Sequence, residues 1–432
     1  MTGFVEMFDA TLFNLKVGSE RAQVIRNRRD EITKALNKGF RDTESAQNNR
    51  LMVGSWGRNT AINGVSDLDM IYVLPESLRD ETRRESGAEK ILSKTRDYLR
   101  ERYPATNIKV DHLVVVVQFA DFKFEVQPCF ENEDGSFDFP DTYAKTWKRT
   151  DPRSEIKELQ AVNDRTHGNA RILCRLVRAW KNKHAVKMNG LLVDTFVWRF
   201  MNEHDEYSLG RTLLYDQMLL DFFKYLAQLP KKEYWMALGS NQRVNVAKPF
   251  QIKAKKTIGL CQEAIDAEDT EEMAAKWRKV LGRFVPIDDV DSEKGKCSDY
   301  VDTEEFIEDF HPIDISFELA LECEVTQDGF RPKLLADMLK MNIPLFPKKR
   351  LHFKIQYCNV PEPYTLLWKV LNRGKEAEKR NCVRGQIIDG KERNGHIEHT
   401  QFKGEHYVEC YVVKDGVVVA KARQVVPIEE EN

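Results

Sequence analysis

The sequence predicts an α+β protein in three parts: a mixed sheet with helices, a helical lobe, and a C-terminal antiparallel β-sandwich. Three observations carry this. Gly54-Ser55 and then Asp67-Leu68-Asp69 lead into the apolar run Met70-Ile71-Tyr72-Val73-Leu74, which reads as a buried strand. Between 167 and 268 apolar residues recur at helical spacing. Beyond 310 short alternating runs are separated by Asn372-Arg373-Gly374, Asp389-Gly390 and Asp415-Gly416. Asp-Gly between Val412-Val413 and Val417-Val418 is a strong hairpin signal. A chain of 432 residues exceeds what one core usually supports. The expected divisions are 1–160, 161–285, an acidic linker 286–309, and 310–432.

A first helix is expected over 19–39, with Ala22, Val24, Ile25, Ile32, Ala35 and Leu36 as its apolar stripe and Gly39 at its end. A second spans 79–103, with Ala88, Ile91, Leu92, Tyr98 and Leu99 inward. Strands follow at 112–119 and 122–130. After a loop with Pro140 and Pro152 come helices at 167–184, 191–202, 210–228 and 246–268. The C-terminal strands are expected at 351–358, 364–371, 382–389, 407–413 and 417–425, which suits a sandwich.

Side chains alternate along a strand, so Asp67 and Asp69 share one face at the strand entrance. Two carboxylates beside a Gly54-Ser55 turn that offers backbone N–H groups make a magnesium-triphosphate site. An isolated Asp-x-Asp is more often a solvated loop; the flanking turn and strand reverse that reading. A third carboxylate is sought on a neighbouring strand. In 122–130, Phe122, Phe124, Val126 and Pro128 fall on one face and Lys123, Glu125 and Gln127 on the other. Glu125 is placed to join the pair, with Asp121 as its rival. Such a site holds two metal ions, magnesium with manganese as substitute, and serves hydroxyl attack with pyrophosphate departure.

Gly54-Ser55, Asp67-Leu68-Asp69 and Phe124-Glu125-Val126-Gln127-Pro128 resemble the cGAS/DncV-like bacterial nucleotidyltransferases of the polymerase-beta-like superfamily. The resemblance covers roughly 1–290. It implies a polymerase-beta-like catalytic domain with a helical nucleotide-binding lobe, joining nucleoside triphosphates into cyclic or linear second messengers in antiphage defence. One departure is Glu125, where many relatives carry Asp; glutamate reaches about one methylene further.

Basic residues Arg171, Arg175, Arg178 and Lys181 recur at spacings of four, four and three, forming a stripe that repels itself unless it faces phosphates or solvent. The segment resembles the family's spine helix, whose lysine contacts the donor triphosphate. Arg178 holds that position and Lys181 lies one turn on; a compact ammonium favours Lys181 slightly. Where relatives carry a γ-phosphate serine this chain has Asn189-Gly190-Leu191, leaving Thr195 as a substitute. Ser240, in the turn Gly239-Ser240, is a further nucleotide contact, although an ordinary turn explains it as well. Tyr207 and Tyr215 are open as base-stacking residues.

The tail, about 310–428, resembles the adenylyl/guanylyl cyclase and SMODS C-terminal sensor domain through Trp368-Lys369-Val370-Leu371-Asn372-Arg373-Gly374, Arg384-Gly385, His399-Thr400 and Gly404-Glu405-His406-Tyr407-Val408-Glu409-Cys410-Tyr411. The resemblance implies a ligand sensor lined by Trp368, Arg384, His406 and Tyr407, with core packing the competing role of Trp368 and Tyr407.

Lys plus Arg (67) nearly balance Asp plus Glu (69), so no global field steers the protein to nucleic acid or anionic lipid. Eight scattered cysteines without metal-ligand spacing fit reduced thiols. No run approaches the ~18–20 apolar residues of a membrane span. The expectation is a cytoplasmic enzyme without a membrane or stable nucleic-acid partner. Its substrates are ATP, with GTP or other nucleoside triphosphates, and its product is a cyclic di- or trinucleotide acting on a downstream effector. The competing readings are an antibiotic- or tRNA-type nucleotidyltransferase and a nucleotide-binding sensor without turnover.

Overall fold

A computed structural model describes residues 3–83, 86–208, 215–268, 270, 272–286, 305, 307–311, 313–315, 317–326, 331–372, 376–377, 384–390 and 395–429. The chain divides into two compact units, Met1–Val290 and Asp291–Asn432.

The first unit begins with α1 (Phe4–Leu15) and α2 (Ser19–Arg41). Strand β1 (Arg50–Met52), the four-residue helix α3 (Gly54–Gly57) and β2 (Asp67–Val73) follow. Then come α4 (Arg79–Thr82), α5 (Gly87–Arg102), β3 (Asn107–Asp111), β4 (Val114–Gln118), β5 (Lys123–Glu131), β6 (Phe137–Asp141) and β7 (Thr146–Thr150). The strands form one mixed sheet, ordered β1-β2-β5-β4-β3, with β6 joining β5 to β7. Strands β2 and β5 run parallel; the other pairs are antiparallel.

Alternation sets the two faces of this sheet. Leu68, Met70, Tyr72, Phe124 and Val126 pack with Ile25, Ile32 and Leu36 of α2 and Ile91, Leu92 and Leu99 of α5. On the opposite face Ile71, Cys129 and Phe137 meet Ile156 of α6 (Pro152–Arg165). Asp67 and Asp69, in phase with Ile71, therefore belong to the face that the helical lobe covers.

Several expectations shift. Val24 is exposed rather than inward. Helix α2 continues past Gly39 to a left-handed Asp42; Gly39 instead allows a close crossing, since a Cβ there would lie 2.3 Å from the Tyr98 ring. The 79–103 helix is split between α4 and α5, where Gly87 has no room for a Cβ against the Thr82 carbonyl. The loop expected before the 167–184 helix contains β6, β7 and a whole helix, α6, which opens with the cap Asp151, whose carboxylate accepts from the Ser154 N–H.

The lobe continues with α7 (Asn169–Lys183), α8 (Gly190–Glu203), α9 (Tyr215–Gln228), the hairpin β8 (Tyr234–Met236) and β9 (Arg243–Asn245), α10 (Gln251–Ile265) and α11 (Met273–Leu281). The first residues of the helix expected at 210–228 lie outside the described residues. One core unites Phe8 of α1 with Trp180, Phe196, Phe223 and Trp277.

In the second unit, α12 (Ile307–Phe310), β10 (Leu319–Thr326), β11 (Lys333–Leu334) and α13 (Leu335–Lys340) precede six further strands. These are β12 (Arg350–Cys358), β13 (Thr365–Leu371), β14 (Ile387–Asp389), β15 (Gly395–His399), β16 (Gly404–Lys414) and β17 (Val417–Ile428). They make two four-stranded antiparallel sheets, β11-β10-β12-β15 and β14-β13-β16-β17. Phe353 from one and Trp368, Cys410 and Val412 from the other share a core, which is the expected sandwich. The turn residues Arg373 and Gly374, Cys382, and most of the acidic segment 286–309 lie outside the described residues. Among the described residues, no helix is long and apolar enough to cross a membrane, and Cys129, Cys174, Cys261, Cys323, Cys358 and Cys410 carry free thiols.

Candidate active site

The parallel register of β2 and β5 pairs Asp67 with Lys123 and Asp69 with Glu125. It brings Asp67, Asp69 and Glu125 to one sheet face. Asp121 precedes β5, where its carbonyl accepts from Arg21. The Lys123 ammonium lies 2.6 Å from Glu125 and 3.5 Å from Asp67. Its hydrogen bond to Glu125 raises the Lys123 pKa above its usual value. Asp69 is also raised: burial disfavours its charge, and the Glu125 and Asp67 carboxylates add to that against Arg58. Among the described residues, no three acidic, His or Cys side chains already stand in metal-holding geometry.

Gly54 lies directly against this cluster. Its φ is +61°, and a Cβ there would sit 1.8 Å from Asp69 Oδ2. The Gly-Ser turn is helix α3, closed by Arg58 N–H donating to the Gly54 carbonyl and by Thr60 and Ala61 N–H donating to Ser55.

The basic stripe behaves differently from expectation. Arg178 is buried and forks Asp194, Nη1 to Oδ1 at 2.6 Å and Nη2 to Oδ2 at 2.9 Å. Arg171 donates to the Arg58 carbonyl, and Arg175 to the carbonyl and side chain of Asn59. Arg171 and Arg175 dock α7 onto the segment after α3, and Arg178 ties α7 to α8. A triphosphate contact from Arg178 conflicts with this engagement. Lys181 is half-buried, its ammonium donating to the Met188 carbonyl at 2.9 Å, and burial lowers its pKa. Thr195 is fully buried and its hydroxyl accepts from the Leu238 N–H. Ser240 donates to Glu155 at 3.0 Å. The structure therefore does not bring Arg178, Thr195 and Ser240 to the carboxylates; they brace the surrounding helices.

Arg58 was not singled out in the sequence, although it lies four residues after Gly54. Buried, it donates from Nε to Asp194 at 2.8 Å and from Nη1 to Glu155 at 2.9 Å. Burial would raise the Asp194 pKa, but Arg178 and Arg58 outweigh it and hold that carboxyl down at about 2. Tyr207 and Tyr215 are core residues: Tyr207 donates to Asp221, and Tyr215 meets Phe8 edge-on.

In the sandwich, Trp368 is fully buried and stacks on His396. Arg384 pairs with Glu398 at 2.6 Å and, with His406 and Tyr407, borders a cavity of about 50 Å³. Tyr407 also stacks beneath Arg423. His406 is buried against the Phe402 carbonyl, and burial lowers its pKa.

Residues 2–163 match the Second Messenger Oligonucleotide or Dinucleotide Synthetase (SMODS) domain family, and residues 301–429 match the Adenylyl/Guanylyl and SMODS C-terminal sensor domain. A cyclic AMP-AMP-AMP synthase from an Acinetobacter species is 23% identical over 251 residues, 54% of this chain and 71% of that protein. The di-nucleotide cyclase DncV of Vibrio cholerae superposes with a TM-score of 0.50 at 11% identity, over 63% of this chain and 93% of that one, and supports the fold. The nucleotidyltransferase CdnG of Bradyrhizobium diazoefficiens, solved with GTP, gives 0.49 at 10% identity over 65% and 96%. The chain thus carries a Second Messenger Oligonucleotide or Dinucleotide Synthetase domain over 2–163, which makes it a nucleotidyltransferase, and an Adenylyl/Guanylyl and SMODS C-terminal sensor domain over 301–429.

Proposed function

We propose that this enzyme joins nucleoside triphosphates, ATP among them, into a cyclic di- or trinucleotide that signals phage infection in the bacterial cytoplasm. The observation that carries this reading is the β2–β5 register, which sets Asp69 beside Glu125 while Gly54 touches Asp69. The relative named as a cyclic AMP-AMP-AMP synthase supports adenosine in the product.

Asp67, Asp69 and Glu125 are the residues that would hold magnesium, with manganese as its substitute. They fit it: all their donors are hard carboxylate oxygens, Asp69 is raised by burial and then by the neighbouring carboxylates, and a Lys123 ammonium already bridges Asp67 and Glu125. When bound, the metal ions neutralise charge on the triphosphate and the departing pyrophosphate. The α3 turn at Gly54 and Ser55 orients the donor phosphates, and Lys181 is the cation of the expected stripe whose head group, among the described residues, donates to a carbonyl alone. Arg178, Thr195 and Ser240 act behind it by holding the helices. A carboxylate of the cluster, Glu125 in our assignment, orients the attacking 2′- or 3′-hydroxyl and accepts its proton. The new O–P bond forms at the α-phosphorus as the bond to pyrophosphate breaks. The product acts on a separate effector, and the sandwich binds a regulatory ligand.

The test is turnover of labelled triphosphates followed by phosphatase and mass spectrometry. A phosphatase-resistant product is expected, and replacing Asp67 and Asp69 together by Asn should cut its formation at least ~10³-fold, several kcal/mol of barrier. Turnover within tenfold of the parent removes this site. No turnover by the parent protein leaves a nucleotide-binding sensor, and a linear transfer to another acceptor indicates the antibiotic- or tRNA-type reaction.

A further inference from the structure

Helix α3 is too short to be stable alone, because a single turn fixes several residues for very few hydrogen bonds. Its rigidity must come from outside. The segment following it is gripped at four points: Arg58 by Asp194 and Glu155, Thr60 by Asp194 at 3.1 Å, the Arg58 carbonyl by Arg171, and Asn59 by Arg175. Asp194 is fully buried, and Arg58, Glu155 and Arg178 are nearly so. Glu155 also accepts from Ser240 and Gln242, so α6, α7, α8 and the β8–β9 turn all converge on one side chain, Arg58, and its neighbours.

A buried ionic set is poor evidence of stability, because desolvation offsets most of its Coulomb gain and apolar replacements are often as stable. What it does provide is a defined position. The turn has no slack on its other side: a Cβ on Gly54 would meet Asp69 at 1.8 Å, and one on Gly57 the Met52 carbonyl at 2.1 Å. Any shift of α3 is therefore passed to Asp69 or to strand β1.

We propose that Arg58 is a positioning residue for nucleotidyl transfer: with Asp194, Glu155 and Thr60 it clamps the Gly54–Gly57 turn at a fixed distance from Asp69. This rests on the site assignment made above. Neither Arg58 nor Thr60 touches substrate; both act through the carbonyl and N–H groups of the turn, Thr60 N–H donating to Ser55 at 2.8 Å. The clamp acts on the geometry of the bound donor rather than on its capture, so its loss falls on kcat.

Two variants of the full chain test it. Arg58→Lys keeps the charge and removes the fork that spans two carboxylates. Thr60→Val is nearly isosteric and deletes the hydroxyl bond to Asp194 together with a long one, 3.5 Å, to the Ser55 carbonyl of the same turn, so it folds even if Arg58→Lys does not. Kinetics with ATP and magnesium should show kcat lowered about 10²-fold for Arg58→Lys and about 5-fold for Thr60→Val. KM for ATP and the Kd of a non-hydrolysable ATP analogue should stay within threefold. A purely structural role would lower the melting temperature and leave kcat per folded molecule unchanged. Thr60→Val folded with kcat within 1.5-fold of the parent overturns the clamp, as does an effect confined to KM. The Asp67→Asn/Asp69→Asn protein is run alongside. If it retains turnover, the site assignment has failed; if it is inactive while the Thr60 and Arg58 variants keep full kcat, only the clamp has.

Discussion

Replacing Gly54 by Ala isolates what the close approach of α3 to Asp69 does. An L-residue at φ +61° costs ~1–2 kcal/mol of backbone strain. The new Cβ would lie 1.8 Å from Asp69 Oδ2 and 2.7 Å from its Cγ, against an ordinary contact of 3.4 Å or more. The carboxylate or the turn must therefore retreat by at least 1.6 Å, the difference between 3.4 and 1.8. A misplacement of ~1 Å at a reacting centre is worth about 10²-fold in rate. We expect kcat/KM for ATP to fall ~10²- to 10³-fold, about 3–4 kcal/mol, with a melting temperature only a few °C lower. Gly135→Ala is the control: its φ is +81° but nothing lies within 4 Å of the added Cβ. It should show the strain as a small loss of stability and leave turnover intact. Steady-state product formation by mass spectrometry and thermal unfolding read the two effects separately. Folded Gly54→Ala protein with kcat/KM within threefold of the parent would refute the assignment of this turn.

Three other outcomes follow from the same structure. Glu125→Gln should abolish nearly all product while Asp121→Asn changes it little, because only Glu125 stands opposite Asp69 in the register; the reverse pattern would place the third acid outside β5. Asp194 is lowered in the fold from 3.8 to about 2, so its contribution is present above its unfolded pKa and lost as pH falls between about 4 and 2. Glu155, raised by burial, contributes with opposite sign; denaturation midpoints of Asp194→Asn should fall less steeply over that acid range than the parent's, and equal slopes would count against a linked charge there. A chain ending at Asp309 retains every proposed catalytic acid, and should stay soluble and bind magnesium-ATP while its basal activity or response to infection changes; unchanged synthesis and unchanged phage response would remove the regulatory role of the sandwich.

Much of the sheet was legible because burial leaves a plain signature in local sequence. The apolar run after Asp69 and the alternation around Glu125 identified two strands, and the Asp415-Gly416 turn identified the β16–β17 hairpin. Strands β6 and β7 were hidden: Pro140 reads as a breaker, yet β6 accommodates it while pairing with β7 along its length. The role of the basic stripe was not legible for another reason. Spacing along α7 shows that Arg171, Arg175 and Arg178 align, but not that Asn59, the Arg58 carbonyl and Asp194 would meet them from elsewhere in the chain. Long-range ion pairs have no period. The signal that could have flagged Arg58 is its position at the end of a Gly-Ser turn, where a short helix needs outside support.

The Lys123 ammonium between Asp67 and Glu125 also bears on how the site is loaded. On the proposed reading, Asp67 and Glu125, which would hold the metal, already hold the Lys123 ammonium, and that tethered monovalent charge would have to give way to a divalent one. The Lys123 side chain is 31% exposed, which gives it a route to solvent. Negative charge at the strand entrance is thus partly balanced by the chain's own lysine. Affinity for the ion would then be a competition, weaker than the same carboxylates would show without a lysine. On the same reading, a triphosphate that brought its own magnesium and offered Lys123 a phosphate oxygen would shift that competition, so that substrate and metal would favour each other's entry.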